Sequence, residues 1–173
     1  IAQILLTEVQ VDRIEIASAR VSEGEFEAVK KITSWAASQG YIDRVEVLTF
    51  VDGNASIDWM LKAGAKVMNL LTKGSLNHLT HQLKKTPEQH FSEIGEVLEK
   101  AVKMGLACNV YLEDWSNGMR HSPEYVFRFL DFLVTQPVKR ILLPDTLGVL
   151  VPYETHEYIH RTVHLYPGVH FDF

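Results

Sequence analysis

A single cysteine in 173 residues, Cys108, excludes an intrachain disulfide and fits a reducing compartment. It sits inside a strand pattern, where a small core residue is the ordinary use of a thiol. No apolar run is long enough to cross a bilayer, and no signal-peptide pattern opens the chain. The cytoplasm is therefore the expected location, without a membrane partner. Runs of Lys and Arg are also missing, and a formal net charge of −5 argues against a nucleic-acid surface. No low-complexity tract or linker composition marks a second domain. What remains is 46% hydrophobic and 23% charged residues, the balance of one globular domain over 1–173 with a real core.

The apolar residues recur with two alternating periods. Ile1, Ile4, Leu5 and Val9 share a helical face with no N-cap ahead of them. Residues 13–18 alternate as a strand. Ser22-Glu23-Gly24-Glu25 reads as a capping box before a helix that turns Phe26, Val29, Ile32 and Ala36 inward and ends at Gly40. A strand over 44–50 follows, then a helix capped by Asn54 and closed by Gly64, then a strand over 66–71. After a longer connection, Thr86-Pro87-Glu88-Gln89 supplies a capping box with Pro at the first helical position. A strand over 106–114, a helix opened by Ser122-Pro123, a strand over 139–144, a helix opened by Pro152 and a strand over 169–173 complete the series. The chain starts in mid-helix and stops on a strand, so it is expected to be cut from something longer.

Strict alternation of strand and helix predicts an α/β fold with a parallel sheet. The two faces of the strands then decide between an open sheet and a barrel. Ile14, Ile16, Val45, Val47, Met68, Leu70, Cys108, Val110, Leu112, Ile141 and Leu143 form one face, aliphatic nearly throughout. The other carries Glu15, Glu46, Asn69, Asn109, Tyr111 and Glu113 among its apolar residues. An open doubly wound sheet needs both faces apolar. A polar interior rimmed by strand ends predicts a (β/α)8 TIM barrel, incomplete here, since a whole one takes roughly 250 residues.

Chemistry in such folds sits at the carboxyl ends of strands. Two ends stand out. Ile141-Leu142-Leu143-Pro144-Asp145-Thr146-Leu147-Gly148 runs from a buried strand into an acid and a hydroxyl, which ordinary turn and capping chemistry also explains. Asn109-Val110-Tyr111-Leu112-Glu113-Asp114-Trp115 ends in two acids and an indole. Glu113 and Tyr111 share a face, so a carboxylate with a raised pKa, fit for acid–base work, is expected there; a structural carboxylate bonded to loop amides is the alternative. Lys73-Gly74-Ser75 could hold an anion or be a solvated turn. His78 and His81 read as loop residues. His156-Glu157-Tyr158-Ile159-His160 matches the H-E-x-x-H of zinc proteases but lacks a third ligand at a family spacing; with His164 it reads as a solvated helix face.

Taken together, Leu143 to Gly148 with Pro152 behind, Leu112-Glu113-Asp114, and Ile14-Glu15-Ile16-Ala17 followed by Ser22 to Glu27 resemble the metal-dependent acyl-CoA-condensing enzymes. These are the isopropylmalate, homocitrate and citramalate synthases, with hydroxymethylglutaryl-CoA lyase as a relative. Asn69 to Leu76 and Asn109 to Gly118 are most similar to citramalate synthase. The resemblance covers essentially the whole chain. It implies a Claisen condensation of acetyl-CoA with a 2-oxo acid held by a divalent metal ion (Mg, Mn or Zn), in amino-acid biosynthesis, by a homodimer. By position it makes Glu113 the active-site glutamate and Thr146 the group that binds the oxo-acid carboxylate. Leu48, Leu71 and Tyr111 become the lining of the side-chain pocket, where the bulk of Tyr111 favours pyruvate over 2-oxoisovalerate. The family's metal ligands, an Asp of the first strand and a His-x-His pair after the seventh, would lie before Ile1 and after Phe173. No metal ligand is therefore expected in this chain, which on its own is expected to be inactive. Outside the enzyme class, a short partial-barrel binding protein is the alternative. It should carry polar edge strands, whereas Ile14, Ile16, Phe171 and Phe173 are apolar.

Overall fold

The computed structural model describes all of residues 1–173. Six strands form one parallel sheet in strictly sequential order: β1 (Ile14–Ser18), β2 (Val45–Phe50), β3 (Val67–Lys73), β4 (Ala107–Glu113), β5 (Arg140–Leu142) and β6 (Phe171–Asp172). The helices between them are α2 (Glu23–Ser38), α3 (Ala55–Lys62), α5 (Pro87–Lys103), α6 (Trp115–His121), α7 (Pro123–Leu133) and α8 (Pro152–Leu165). Two short helical turns, α1 (Ala2–Ile4) and α4 (Leu76–His78), each run into a π-turn that stops at a left-handed residue, Gln10 and Lys84. No helix is long and apolar enough to cross a membrane.

The outer face is where the hydrophobic effect acts. Val47, Met68, Leu70, Cys108, Val110 and Leu112 are fully buried and meet Ile57, Met60, Ile94, Leu98, Val126, Phe129 and Leu130 from the helices, while Val45 packs with Leu6, Ile14 and Ala36 in a smaller cluster. Each such aliphatic side chain contributes about 1.5–3 kcal/mol when withdrawn from water. Aromatic rings tie α5 to α7, with Phe91 stacked on Phe129 and Phe132 at centroid distances of 4.9 and 5.2 Å.

The other face is a curled interior. Arg140 on β5 pairs with Glu46 on β2, three strands away. At 4.7–4.9 Å between neighbours a flat sheet would separate these strands by roughly 14 Å. Side chains meet across that span because the sheet bends around a shared axis. Glu46 and Asp172 accept from Arg140, the Asn69 amide donates to both Glu15 and Glu46, and Asn109 donates to Asn69. This layer links side chains of all six strands across the interior, and the architecture is an incomplete (β/α)8 barrel.

Local differences from the sequence reading have local causes. Thr86 and Gln89 form the complete capping box, whereas Ser22 accepts from the Glu25 N–H without the reciprocal bond. Asn54 does not cap α3; Asp52 does, accepting from the N–H and hydroxyl of Ser56. The expected strand 139–144 is regular only over Arg140–Leu142, because Pro144 has no N–H for the ladder. The last strand is likewise limited to Phe171–Asp172. The unforeseen α6 follows β4 at once. It fits because Gly118 passes Gly74 backbone against backbone: an added Cβ at Gly118 would lie 2.1 Å from the Gly74 carbonyl oxygen.

Candidate functional site at the carboxyl ends of the strands

Register places the expected residues in ascending layers of the interior. Leu48 pairs with Asn69, in the layer just above Glu46. Leu71 lies between Phe50 and Tyr111, and Tyr111 is next to Leu142. Above them Lys73 pairs with Glu113, and their side chains form a half-buried ion pair. Leu48, Leu71, Tyr111 and Glu113 therefore share one wall, as alternation requires. The Lys73 ammonium is committed to Glu113, so the Lys73-Gly74-Ser75 segment is not a free anion cradle. Tyr111 makes no hydrogen bond through its phenol. Burial first, and then the carboxylates of Glu15 and Glu46, push its pKa up to about 12. It stays neutral at any ordinary pH.

Thr146 stands apart on the exposed loop after β5, joined to this wall through the backbone. Its hydroxyl oxygen accepts from the Asp114 N–H at 2.9 Å, leaving its own proton free to donate. Asp145 builds the loop. Its carboxylate accepts from the Ser116 hydroxyl at 2.7 Å and from the N–H groups of Val149 and Leu150 at 3.0 and 2.9 Å. Burial works to raise its pKa, but these bonds and nearby Arg120 together hold it below the ordinary value. Arg120 binds Glu154 and the Val149 carbonyl, so α6 grips both ends of the 145–151 loop.

Asp114 was legible only as one acid in a strand-end run, and it organises the mouth. It has a left-handed backbone, φ 66°, which aspartate tolerates better than most residues. Its buried carboxylate accepts from the Ser75 hydroxyl at 2.7 Å and the Asn117 amide at 2.8 Å, with His78 Nε2 3.4 Å away. His78, His81 and His121 line a cavity of about 600 Å³ beside it, together with Ser75, Asn117 and Leu147. Spacing of His78 and His81 gave no hint of His121, which α6 brings across from forty residues away.

Whether these groups suit a divalent metal is decided by what they already hold. Glu113 is paired with Lys73, Asp114 with Ser75 and Asn117, and Asp145 with its own loop. Nowhere do three ligating side chains converge on one point. The residues present do not fit a metal site, and no step below is routed through one.

Comparison with known proteins agrees with this geometry. The HMGL-like family profile matches residues 1–171. A 2-isopropylmalate synthase of Sulfurisphaera tokodaii is 31% identical over 159 residues, covering 91% of this chain and 39% of that protein. A putative (R)-citramalate synthase of Methanothermobacter thermautotrophicus is 30% identical over 148 residues, covering 85% of this chain and 28% of that protein. The chain thus spans well under half the length of these relatives. Among solved structures, the hydroxymethylglutaryl-CoA lyase of Bacillus subtilis superposes with a TM-score of 0.71 at 18% identity, covering 98% of this chain and 58% of that one. The lyase of Pseudomonas aeruginosa does so with a TM-score of 0.66 at 17% identity, over 96% and 56%. Sequence match, strand order and curled interior together make this chain a member of the HMGL-like family.

Proposed function

We propose that this chain is the catalytic-barrel part of an acyltransferase that condenses acetyl-CoA with a 2-oxo acid, pyruvate in preference, to give citramalate. The observation that carries the proposal is the layering of one wall: Leu48, Leu71 and Tyr111 beneath a carboxylate, Glu113, at the strand ends. Similarity to synthases of both the isopropylmalate and citramalate kinds supports the reaction class.

In a Claisen condensation a base takes a proton from the acetyl methyl. The resulting carbanion bonds to the ketone carbon of the oxo acid, the ketone oxygen takes up a proton, and hydrolysis of the thioester releases CoA. Glu113 is the group on this wall that can move the proton, with Lys73 fixing its orientation. Thr146, whose oxygen already accepts from Asp114, has its proton to offer the oxo-acid carboxylate. Tyr111 fills volume, its phenol protonated and without a hydrogen-bond partner in the protein. Replacing the methyl of pyruvate by isopropyl asks this wall for room that the ring occupies. A single methylene in an apolar pocket discriminates by about 10–200-fold.

The test is acetyl-CoA-dependent thiol release by the full open reading frame that carries this chain. Release that requires a 2-oxo acid and is lost in Glu113→Gln is expected. Cleavage of hydroxymethylglutaryl-CoA with no oxo-acid-dependent release would overturn the reading.

A further inference from the structure

Helix α8 carries a feature that the interior chemistry does not use. His156, His160 and His164 recur every four residues on its exposed side. Adjacent rings are nearly parallel, with centroids 5.8 Å apart and planes 14° apart for His156–His160, and 5.9 Å and 5° for His160–His164. None of the three makes a hydrogen bond to the protein, so all the ring nitrogens are available. The guanidinium of Arg161, the nearest cation in sequence, is drawn off the row and lies over the Phe127 ring at 4.5 Å.

We infer that this row is a surface binding site for a divalent first-row transition-metal ion, held by two imidazoles one helical turn apart, with His160 common to two overlapping pairs. Imidazole suits Ni²⁺, Cu²⁺ and Zn²⁺, whereas Mg²⁺ and Ca²⁺ prefer oxygen. Metal–nitrogen bonds of about 2.0–2.1 Å require donor atoms roughly 3 Å apart. Rings at 5.8 Å reach that by turning about their side-chain bonds, with the helix unmoved. His156 and His164 are eight residues apart, about 12 Å along the axis, and cannot share an ion. No third protein ligand converges on either pair. Water completes the coordination, and the ion exchanges freely. The site is independent of the proposed condensation: its three exposed ligands sit on α8, in the outer layer of the barrel, and none lines the cavity at the mouth.

The shared ligand gives a test that composition alone would not predict. Ni²⁺ alone is titrated calorimetrically into the 173-residue chain at pH 7.5. His160→Gln destroys both pairs and is expected to weaken binding by at least about tenfold, the loss of a second donor held at high effective concentration. His156→Gln and His164→Gln each leave one pair and should change the dissociation constant by no more than about twofold, the statistical factor for two equivalent pairs. The double variant His156→Gln/His164→Gln should match His160→Gln. All are exposed substitutions on a formed helix, and thermal melts supply the second readout: Ni²⁺ raises Tm for wild type and the outer variants, and not for His160→Gln. Equal losses at all three positions would overturn the inference. So would a His160→Gln affinity within twofold of wild type, or binding that disappears with His78→Gln or His121→Gln instead.

Discussion

Gly118→Ala isolates the contact that seats α6 against β3. Its new Cβ would lie 2.1 Å from the Gly74 carbonyl oxygen and 2.8 Å from Val126 Cγ2. Neither neighbour can give cheaply: Gly74 is held by its N–H to the Glu113 carbonyl at 2.7 Å, and Val126 is fully buried. The helix must therefore move out by about an ångström, carrying Ser116, Asn117 and Arg120 from their partners Asp145, Asp114 and Glu154. Overpacking costs about 1–3 kcal/mol, and each strained hydrogen bond about 0.5–1.5 more, against a gain of about 1 kcal/mol from alanine's helix propensity. The expected net loss is about 2–6 kcal/mol, a fall in Tm of about 4–24 °C. Gly95→Ala is the matched control, because the nearest atom to its Cβ, in the Phe132 ring, is 3.7 Å away. It should stabilise by about 0.5–1 kcal/mol. Urea unfolding followed by circular dichroism measures both. A Gly118→Ala midpoint at or above wild type would refute the reasoning.

Arg140→Met strips two buried or half-buried carboxylates of their partner and should cost about 3–5 kcal/mol, while adding Glu46→Gln to that background should recover part of the loss; equal stability of the single and double variants would count against the network. Burial, and then the charge of Glu46, raise the pKa of Glu15 against the opposing Asn69 bond. A carboxylate raised on folding destabilises above its folded pKa, and the penalty is relieved as pH falls toward the unfolded value. Glu15→Gln should therefore be slightly more stable than wild type at neutral pH, with the gain vanishing in acid; an advantage that grows on acidification would contradict this. Cys108 is fully buried, and burial pushes its thiol up to about 12, so a thiol reagent should modify it at the rate of global unfolding and no faster.

What the sequence made legible was whatever depends on near neighbours. The outward set from Val45 to Leu143 could be named by alternation alone, because burying every second residue is a local pattern. Thr86 could be named a cap because its partner, Gln89, lies three residues on. The interior defeated such reading wherever a partner came from another strand. Arg140 opens β5, and nothing near it in sequence announces Glu46, ninety-four residues away. Asp52 displaced Asn54 as the cap of α3 because Asn54 is drawn into helical φ and ψ, leaving no room for a cap's extended geometry. The cavity at the mouth escaped for the same reason as α6, whose seat depends on two glycines meeting from different strand ends. Glu113 and Tyr111 were rightly set on one wall, but alternation gave no sign that Lys73 would answer the carboxylate.

The central claim is that this wall serves a condensation with a small 2-oxo acid. Its most direct measurement is kcat/KM for pyruvate against 2-oxoisovalerate, by thiol release from acetyl-CoA, in the full reading frame and its Tyr111→Ala variant. The account predicts at least about a tenfold preference for pyruvate that narrows or reverses when the ring is removed. A wild-type preference for 2-oxoisovalerate, or a ratio that Tyr111→Ala leaves unchanged, would contradict it.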